Sequence, residues 1–335
     1  MSDYLWDGSG SDAEVERLEK LLARFQGAAQ PPAFPEMAEK RRGSRSVVLA
    51  WSLAAAASVL AVFALWYESS TTRRSEWTVA DIVGSPQIDG VPLRASARWK
   101  PGAMLETDAT SRAEMQLSGM GQIEVEPNSQ VTLLKANADQ QQFQLTRGEI
   151  RAAVIAPPYV FLVDTPSAYA MDMGCAYTLQ VRDDGTSVLR VTVGWVDLQH
   201  GWLQSLVPEG AVAESRPGIG PGAPYYEDAS EQFKQALEIV NFDLADEKAR
   251  SAALTTVLAE SRKRDALTLL NLFRRVDAED RGRLYDRLSQ MLPPIPGVTR
   301  EDAMENYSNR LGPWWDALGL SHIKKGFKKP PVVRE

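Results

Sequence analysis

Nucleophiles and soft metal ligands are scarce in this sequence: Cys175 is its one cysteine, and His200 and His322 are its two histidines. One cysteine closes no intramolecular disulfide and builds no thiolate zinc cluster, and two histidines are too few for a histidine-rich metal site. A structural metal would need carboxylates. Cys175 lies in a β-patterned stretch and is expected as a small core residue, not as a reactive or intermolecular thiol. His200 would form a hydrolytic triad only if folding brought a serine and an aspartate beside it, an arrangement that spacing does not reveal. For phosphate chemistry, the glycine-rich Gly218-Ile219-Gly220-Pro221-Gly222 lacks the following lysine and the helix start that a phosphate-binding loop requires. Neither a G-x-S-x-G elbow nor an H-E-x-x-H pair nor a metal-spaced carboxylate set occurs. The expectation is a non-enzyme with no catalytic residue, no cofactor and no metal.

The work of the chain must then lie in what its elements bind. Its 335 residues, 44% hydrophobic and 24% charged, suit folded material in two or three units. A formal net charge of -7 gives no strongly basic balance, so direct nucleic-acid binding is not expected.

Residues 47–67 form 21 consecutive positions without a charge, which at about 1.5 Å per helical residue reach across the roughly 30 Å core of a bilayer. Trp51, Trp66 and Tyr67 lie near its ends, as interfacial anchors do. A buried soluble helix is rarely uncharged for so long. A cleaved signal peptide would begin within the first residues, whereas 46 precede this segment and no A-x-A site stands directly after it. A single transmembrane helix is expected. On its N-terminal side stand Lys40, Arg41, Arg42 and Arg45, against Arg73 and Arg74 on the other, so the N-terminus is expected in the cytoplasm and the bulk of the chain outside it, in the periplasm. The near-absence of cysteine is compatible with that placement.

The inner segment, 1–46, holds an aromatic head (Tyr4, Leu5, Trp6), a helical stretch over 12–26 and a Pro-rich charged linker. Ser11 and Glu14 have the spacing of a capping box, and Val15, Leu18, Leu22 and Phe25 recur at steps of three and four to make one apolar stripe. One such helix cannot bury its stripe in a core of its own. Three readings stay open: a helix docking a partner protein, a helix lying on the inner membrane face, and a solvated or self-associating helix. Glu14, Glu16 and Glu19 among Arg17, Lys20 and Arg24 weigh against the membrane-surface version, whose polar face is usually strongly basic.

Between Trp77 and 215 the pattern becomes short alternating runs such as Ala113-Glu114-Met115-Gln116-Leu117 and Gln122-Ile123-Glu124-Val125-Glu126. Further runs fall at 131–134, 143–145, 150–155, 159–163, 177–181, 187–193 and 195–198. Turns are expected at Pro127-Asn128-Ser129, Arg147-Gly148 and Asp183-Asp184-Gly185. This predicts a mainly β domain, an antiparallel sandwich or roll.

Pro101-Gly102, Leu105-Glu106-Thr107, Ser111 to Leu117, Gly121, Pro127-Asn128-Ser129-Gln130-Val131 and Leu145-Thr146-Arg147-Gly148-Glu149-Ile150 together resemble the FecR domain. Thr165-Pro166-Ser167-Ala168, Gly174 and Val193-Gly194-Trp195-Val196 are similar to its closing section. Where the family usually has Gly-Thr followed by an aromatic, this chain has Gly174-Cys175-Ala176-Tyr177. The resemblance covers about 77–200. It implies a membrane-spanning regulator whose cytoplasmic end holds or activates an extracytoplasmic-function sigma factor according to what its outer domain senses. The His-Cys zinc motif of other anti-sigma factors is absent from the sequence.

Beyond a Gly/Pro-rich linker at 216–228 the period lengthens to that of amphipathic helices: Phe233, Leu237 and Val240, then Leu254, Val257 and Leu258, then Leu269, Leu270, Leu272 and Phe273, then Leu284, Leu288, Met291 and Leu292. Asp265 and Asp277 sit where N-caps belong, and Pro293-Pro294-Ile295-Pro296-Gly297 stops a helix before another begins near Arg300. A helical domain over 229–320 is expected, with Trp314-Trp315 packed on it or open to a partner or glycan. A basic tail at 321–335 follows, solvated or touching anionic lipid or envelope polymer.

The expected order is therefore 1–46 inside, 47–67 in the membrane, a linker at 68–76, and the β and helical parts outside. Two functions compete. In the first, the outer domain receives an outer signal protein or envelope ligand, and Val15, Leu18, Leu22 and Phe25 dock a cytoplasmic sigma factor or similar protein. In the second, the outside part is an envelope binding or scaffold module holding glycan or protein, and 1–46 is a retention tail.

Overall fold

The computed structural model describes residues 76–305 and 311–319 other than 118, 295 and 298, together with Arg17 and Lys20. The stripe Val15, Leu18, Leu22 and Phe25, the segment 47–67 with Trp51, Trp66 and Tyr67, and the tail 321–335 lie outside the described residues. Among the described residues no helix is long and apolar enough to cross a membrane.

In chain order the strands are β1 (Trp77–Val83), β2 (Gln87–Ile88), β3 (Val91–Pro92), β4 (Arg98–Trp99), β5 (Met104–Glu106), β6 (Arg112–Leu117), β7 (Gly121–Val125), β8 (Gln130–Ala136) and β9 (Gln141–Val154). There follow β10 (Phe161–Asp164), β11 (Tyr169–Asp172), β12 (Ala176–Val181), β13 (Ser187–Val193), β14 (Trp195–His200), β15 (Leu203–Pro208), β16 (Ala211–Arg216), β17 (Gly220–Pro221) and β18 (Tyr225–Tyr226). The first sheet runs β4-β1-β6-β7-β9-β12-β13-β16, with β17 and β18 both paired to β16. The second runs β3-β2-β5-β8-β9-β10-β11-β14-β15. Every pairing is antiparallel except β9 with β10.

The strand periodicity translates directly into burial. Ala113, Met115 and Leu117 of β6 and Ile123 and Val125 of β7 point into the core between the sheets, while Glu114, Gln116 and Glu124 point away from it. Each large side chain buried this way contributes about 1.5–3 kcal/mol. At one end of the core Trp77, Trp99, Phe143 and Phe161 meet, with ring centroids 5.2 Å apart for Trp77–Phe143 and 5.4 Å for Trp99–Phe143. Such aromatic contacts add to simple burial.

Two expectations need correcting. Arg147-Gly148 is not a turn between strands but a corner within β9, which pairs with β8 and β10 up to Arg147 and with β7 and β12 from Gly148 on. Gly148 has φ 85, and a Cβ there would collide with Ser129, so only glycine lets the strand pass from one sheet to the other. The Gly/Pro stretch at 216–228 is not an open linker: β17 folds back on β16 with Arg216 opposite Gly220, and β18 adds beside it. Gly218 at φ 74 closes that hairpin.

The helices are α1 (Glu231–Phe242), α2 (Glu247–Glu260), a 3₁₀ turn (Lys263–Asp265), α3 (Ala266–Leu272), α4 (Ala278–Met291), α5 (Arg300–Glu305) and α6 (Gly312–Ala317). Ser230, Asp246 and Asp277 cap α1, α2 and α4 by accepting the N–H groups of Phe233, Ala249 and Asp280. Asp265 does something else. Fully buried, it accepts the backbone N–H of Arg262 at 2.8 Å and two guanidinium N–H bonds from the same residue, and caps no helix with its side chain. The periodic residues Phe233, Leu237, Val240, Leu254, Val257, Leu269, Leu284 and Leu288 form the helical core. Trp314 belongs to it, 1% exposed, its indole N–H donating to the Pro293 carbonyl at 2.9 Å, so it is not open to a glycan.

Candidate functional site

The 216–228 strap fastens the helices to the second sheet. The Ala223 N–H donates to Asn241 Oδ1 of α1, the Thr268 hydroxyl of α3 donates to the Pro224 carbonyl at 2.7 Å, and Ser205 of β15 donates to the Gly222 carbonyl at 2.6 Å. Leu206 of β15 and Leu267 of α3 complete an apolar contact with Met173, Trp195, Trp315 and Leu318. β14 is consequently covered on both faces. Its sequence Trp195-Val196-Asp197-Leu198 buries three consecutive residues, one of them a carboxylate.

β11 lies beside β14, with Met171 opposite Asp197 and Asp172 opposite Val196. Because side chains alternate along strands, the two aspartates face opposite ways. Asp172 faces the inter-sheet core. It accepts the Cys175 S–H at 2.7 Å and the Gly174 N–H at 2.6 Å, and burial pushes its carboxyl up to about 6. Burial and the neighbouring Asp172 raise the Cys175 thiol far above its usual range, which makes it unreactive. The backbone turn that presents Cys175 is closely packed: Gly194 has φ 77, and a Cβ on it would lie 2.7 Å from the Gly174 carbonyl oxygen.

Asp197 faces the helices. Its Oδ2 accepts amide N–H bonds from Gln199 at 2.7 Å and Gln204 at 2.8 Å, while Oδ1 is buried without a partner among the described residues. Burial raises its carboxyl to about 7, against the lowering pull of the two glutamine amides and of the Arg274 charge. Tyr159 joins the two aspartates. Its backbone N–H donates to the Asp172 carbonyl at 3.1 Å, and its phenol is raised by burial and by Asp197. Tyr159 holds φ 67, a costly conformation for an aromatic residue that the surrounding structure must enforce. Asp197 thus joins β14 to β15 through its two glutamine bonds and acts electrostatically on Tyr159 and Arg274.

His200 ends β14 against Gly220 and hydrogen-bonds neither a serine nor a carboxylate among the described residues. Among those residues no group of three or more His, Cys, Asp and Glu is placed to hold a metal ion. A shallow groove of about 510 Å³ opens where Glu126, Asn128, Gly148, Gln180 and Asp183 meet. The expected docking residues Val15, Leu18, Leu22 and Phe25 lie outside the described residues, as do the anchors Trp51, Trp66 and Tyr67. Asp172, Asp197 and Tyr159 were not singled out by sequence reasoning. The one signal for Asp197 was a carboxylate set between Val196 and Leu198 in a strand otherwise apolar on both sides.

Residues 103–197 match the family model described as FecR protein, ending at Asp197. No curated protein matches the chain. Two solved structures, each described as a "putative anti-sigma factor" from Parabacteroides distasonis, are similar at 15% identity and a TM-score of 0.33. Each aligns with 40% of this chain, and the chain spans 63% and 62% of their respective lengths.

Proposed function

We propose that this chain, with a FecR match at 103–197, is a single-pass regulator of the cytoplasmic membrane that passes an outside input to a cytoplasmic sigma factor or similar regulatory protein. The helix at 47–67 anchors it through Trp51, Trp66 and Tyr67, residues 1–46 lie in the cytoplasm, and the β and helical parts lie in the periplasm. An outer signal protein or envelope ligand acts on the β part. Val15, Leu18, Leu22 and Phe25 dock the inner partner through one apolar helix face. The observation that carries this reading is the FecR match downstream of a 21-residue uncharged segment, an order that joins an outer domain to an inner tail. Only residues 68–76 separate that segment from Trp77, which is buried in the β core, so the connection is short.

The test is a pull-down from cytoplasmic extract with residues 1–46 as bait, using the Leu18→Asp/Leu22→Asp double variant as control. A buried charge in an apolar interface costs several kcal/mol, so the variant should retain nothing the parent retains. A sigma factor held by the parent alone supports the reading, and equal retention by both removes the stripe from it.

An envelope binding module is the second reading, and Trp202 favours it. This residue is 69% exposed at the β14–β15 turn, an aromatic surface of the kind glycan or protein ligands use. On that reading deletion of residues 2–30 leaves the phenotype intact.

A further inference from the structure

The connection between α3 and α4 carries two consecutive arginines, Arg274 and Arg275, and Arg250 of α2 reaches it. Arg250 is fixed there by its own bonds. Its Nη2 donates to the Arg275 carbonyl at 2.6 Å and its Nε donates to the Val240 carbonyl at 3.3 Å. Three guanidinium groups are thus gathered in one place, and none of them takes part in an ion pair among the described residues. Of the nearby carboxylates, Asp277 caps α4 and Asp280 pairs with Arg283 at 2.6 Å, while Glu247 lines the same hollow as Arg250 without forming an ion pair among the described residues. Asp197 lends Arg274 a Coulombic partner without reaching it as an ion pair.

Arg275 is the telling member. Its Nε and Nη2 are buried and have no hydrogen-bond partner among the described residues. These two N–H groups form one edge of the planar guanidinium and point the same way, the fork that receives two oxygens of a single carboxylate or phosphate. Burying a cation beside two others with no anion paired to it costs several kcal/mol, and a native fold meets such a cost where something completes the site. Burial and the adjacent Arg250 and Arg274 push the Arg275 guanidinium down to about 10, the direction expected where positive charge is in excess.

We propose that Arg275, flanked by Arg274 and Arg250, is an oxyanion-binding site that takes a phosphate or carboxylate group on its Nε/Nη2 edge. The residue is half-buried and its Nε/Nη2 edge is shielded, so seating a ligand there requires the α3–α4 connection to part from that edge. Arg274 acts electrostatically on both Arg275 and Asp197, so an anion bound here competes with Asp197 for the Arg274 charge.

The test is thermal unfolding of the full chain in non-ionic detergent, followed by tryptophan fluorescence. Sodium phosphate and sodium acetate are compared with sodium chloride at equal ionic strength, and phosphatidylglycerol/phosphatidylcholine vesicles with phosphatidylcholine vesicles alone. A ligand that binds the folded state raises the midpoint as RT ln(1 + [L]/Kd). We expect a saturable rise in at least one oxyanion arm over its control, and the responding arm identifies free phosphate, carboxylate or lipid headgroup as the source. Arg275→Lys keeps the charge but loses the fork and should need about tenfold more ligand for the same rise, about 1.4 kcal/mol. Arg275→Met removes the buried cation, so it folds at least as well in chloride and should show no oxyanion response. A parent that responds to every oxyanion arm as it does to the controls, or an Arg275→Met variant that keeps the full response, overturns the proposal.

Discussion

The indole N–H of Trp77 donates to Oε1 of Gln141 at 2.9 Å, with both side chains fully buried. Trp77 opens β1 and Gln141 opens β9, the strand both sheets share. The amide of Gln141 in turn donates to the Asn137 carbonyl. The first strand after the uncharged segment is therefore tied to the element around which the whole β part is organised. Gln141→Leu keeps the volume but leaves the indole N–H buried and unpaired and removes the bond to the carbonyl of the exposed Asn137. It should lower unfolding stability by about 1–3 kcal/mol, and Trp77→Ala by about 3–5 kcal/mol. Urea midpoints of the two variants check this, and an unshifted Gln141→Leu midpoint would show that the bond carries no net stability.

Asp197 predicts an unusual pH dependence. Its carboxyl stands at about 7 in the fold against 3.8 as the ordinary value, so the folded state holds a proton that the unfolded chain has released. Between those two values the folded chain binds more protons, and stability falls as pH rises; below 3.8 and above about 7 the contribution is constant. Asp172, raised to about 6, acts in the same direction over the lower part of that window. Asp197→Asn keeps an acceptor for Gln199 and Gln204 and carries no charge, so at pH 8 it should be more stable than the parent by about 2–4 kcal/mol. The gain should vanish near pH 4. A parent and variant whose midpoints differ equally at both pH values would remove Asp197 as the titrating group.

Alternation made the β part legible because one strand face meets the core and the other meets water, as Ala113, Met115 and Leu117 do against Glu114 and Gln116. The helical faces were legible for the same reason at their own period, from Phe233 through Leu288. What resisted reading was anything decided by a third layer. Val196, Asp197 and Leu198 break alternation because helices cover the outer face of β14, and no local pattern announces that cover. Gly148 looked like a hairpin turn because glycine after a charged residue between two apolar runs usually is one. That a strand bends there to serve two sheets depends on Ser129, nineteen residues earlier. Arg275 gave no signal, since a surface arginine and a buried one read alike.

Cys175 should behave as a buried core thiol. Its S–H is committed to Asp172 and its ionisation is pushed far up by burial and by that carboxylate, so almost no thiolate exists near neutral pH. Alkylation by a maleimide should proceed only as fast as the fold opens, and raising the pH from 7 to 9 should not accelerate it beyond the change in opening. Labelling of the native chain within minutes, at a rate that follows solution pH, would place the thiol at the surface instead.

Gly148→Ala tests the corner of β9. The backbone there holds φ 85, which costs an L-residue about 1–2 kcal/mol before any contact is counted. The added Cβ would also strike Ser129, whose Oγ accepts the Glu149 N–H at 2.8 Å and donates to the Glu149 carbonyl at 3.1 Å. Relief would need either β9 or the 127–129 turn to move, and the turn is held by Thr107, whose hydroxyl donates to the Glu126 carbonyl at 2.6 Å and accepts the Ser129 N–H at 2.9 Å. Strain and lost bonds together should cost at least 3 kcal/mol or so, against the roughly 0.4–1 kcal/mol gain that glycine-to-alanine gives where the backbone permits it. Trimming the obstacle gives the sharper comparison. Ser129→Gly alone loses the Oγ bonds, but the double variant Gly148→Ala/Ser129→Gly should cost less than the two single penalties added, because the contacts with Oγ and Cβ are gone while the φ cost and the backbone contact of the added Cβ with the residue-129 Cα remain. Additive penalties in urea midpoints would mean that the Ser129 side chain is not what the alanine meets.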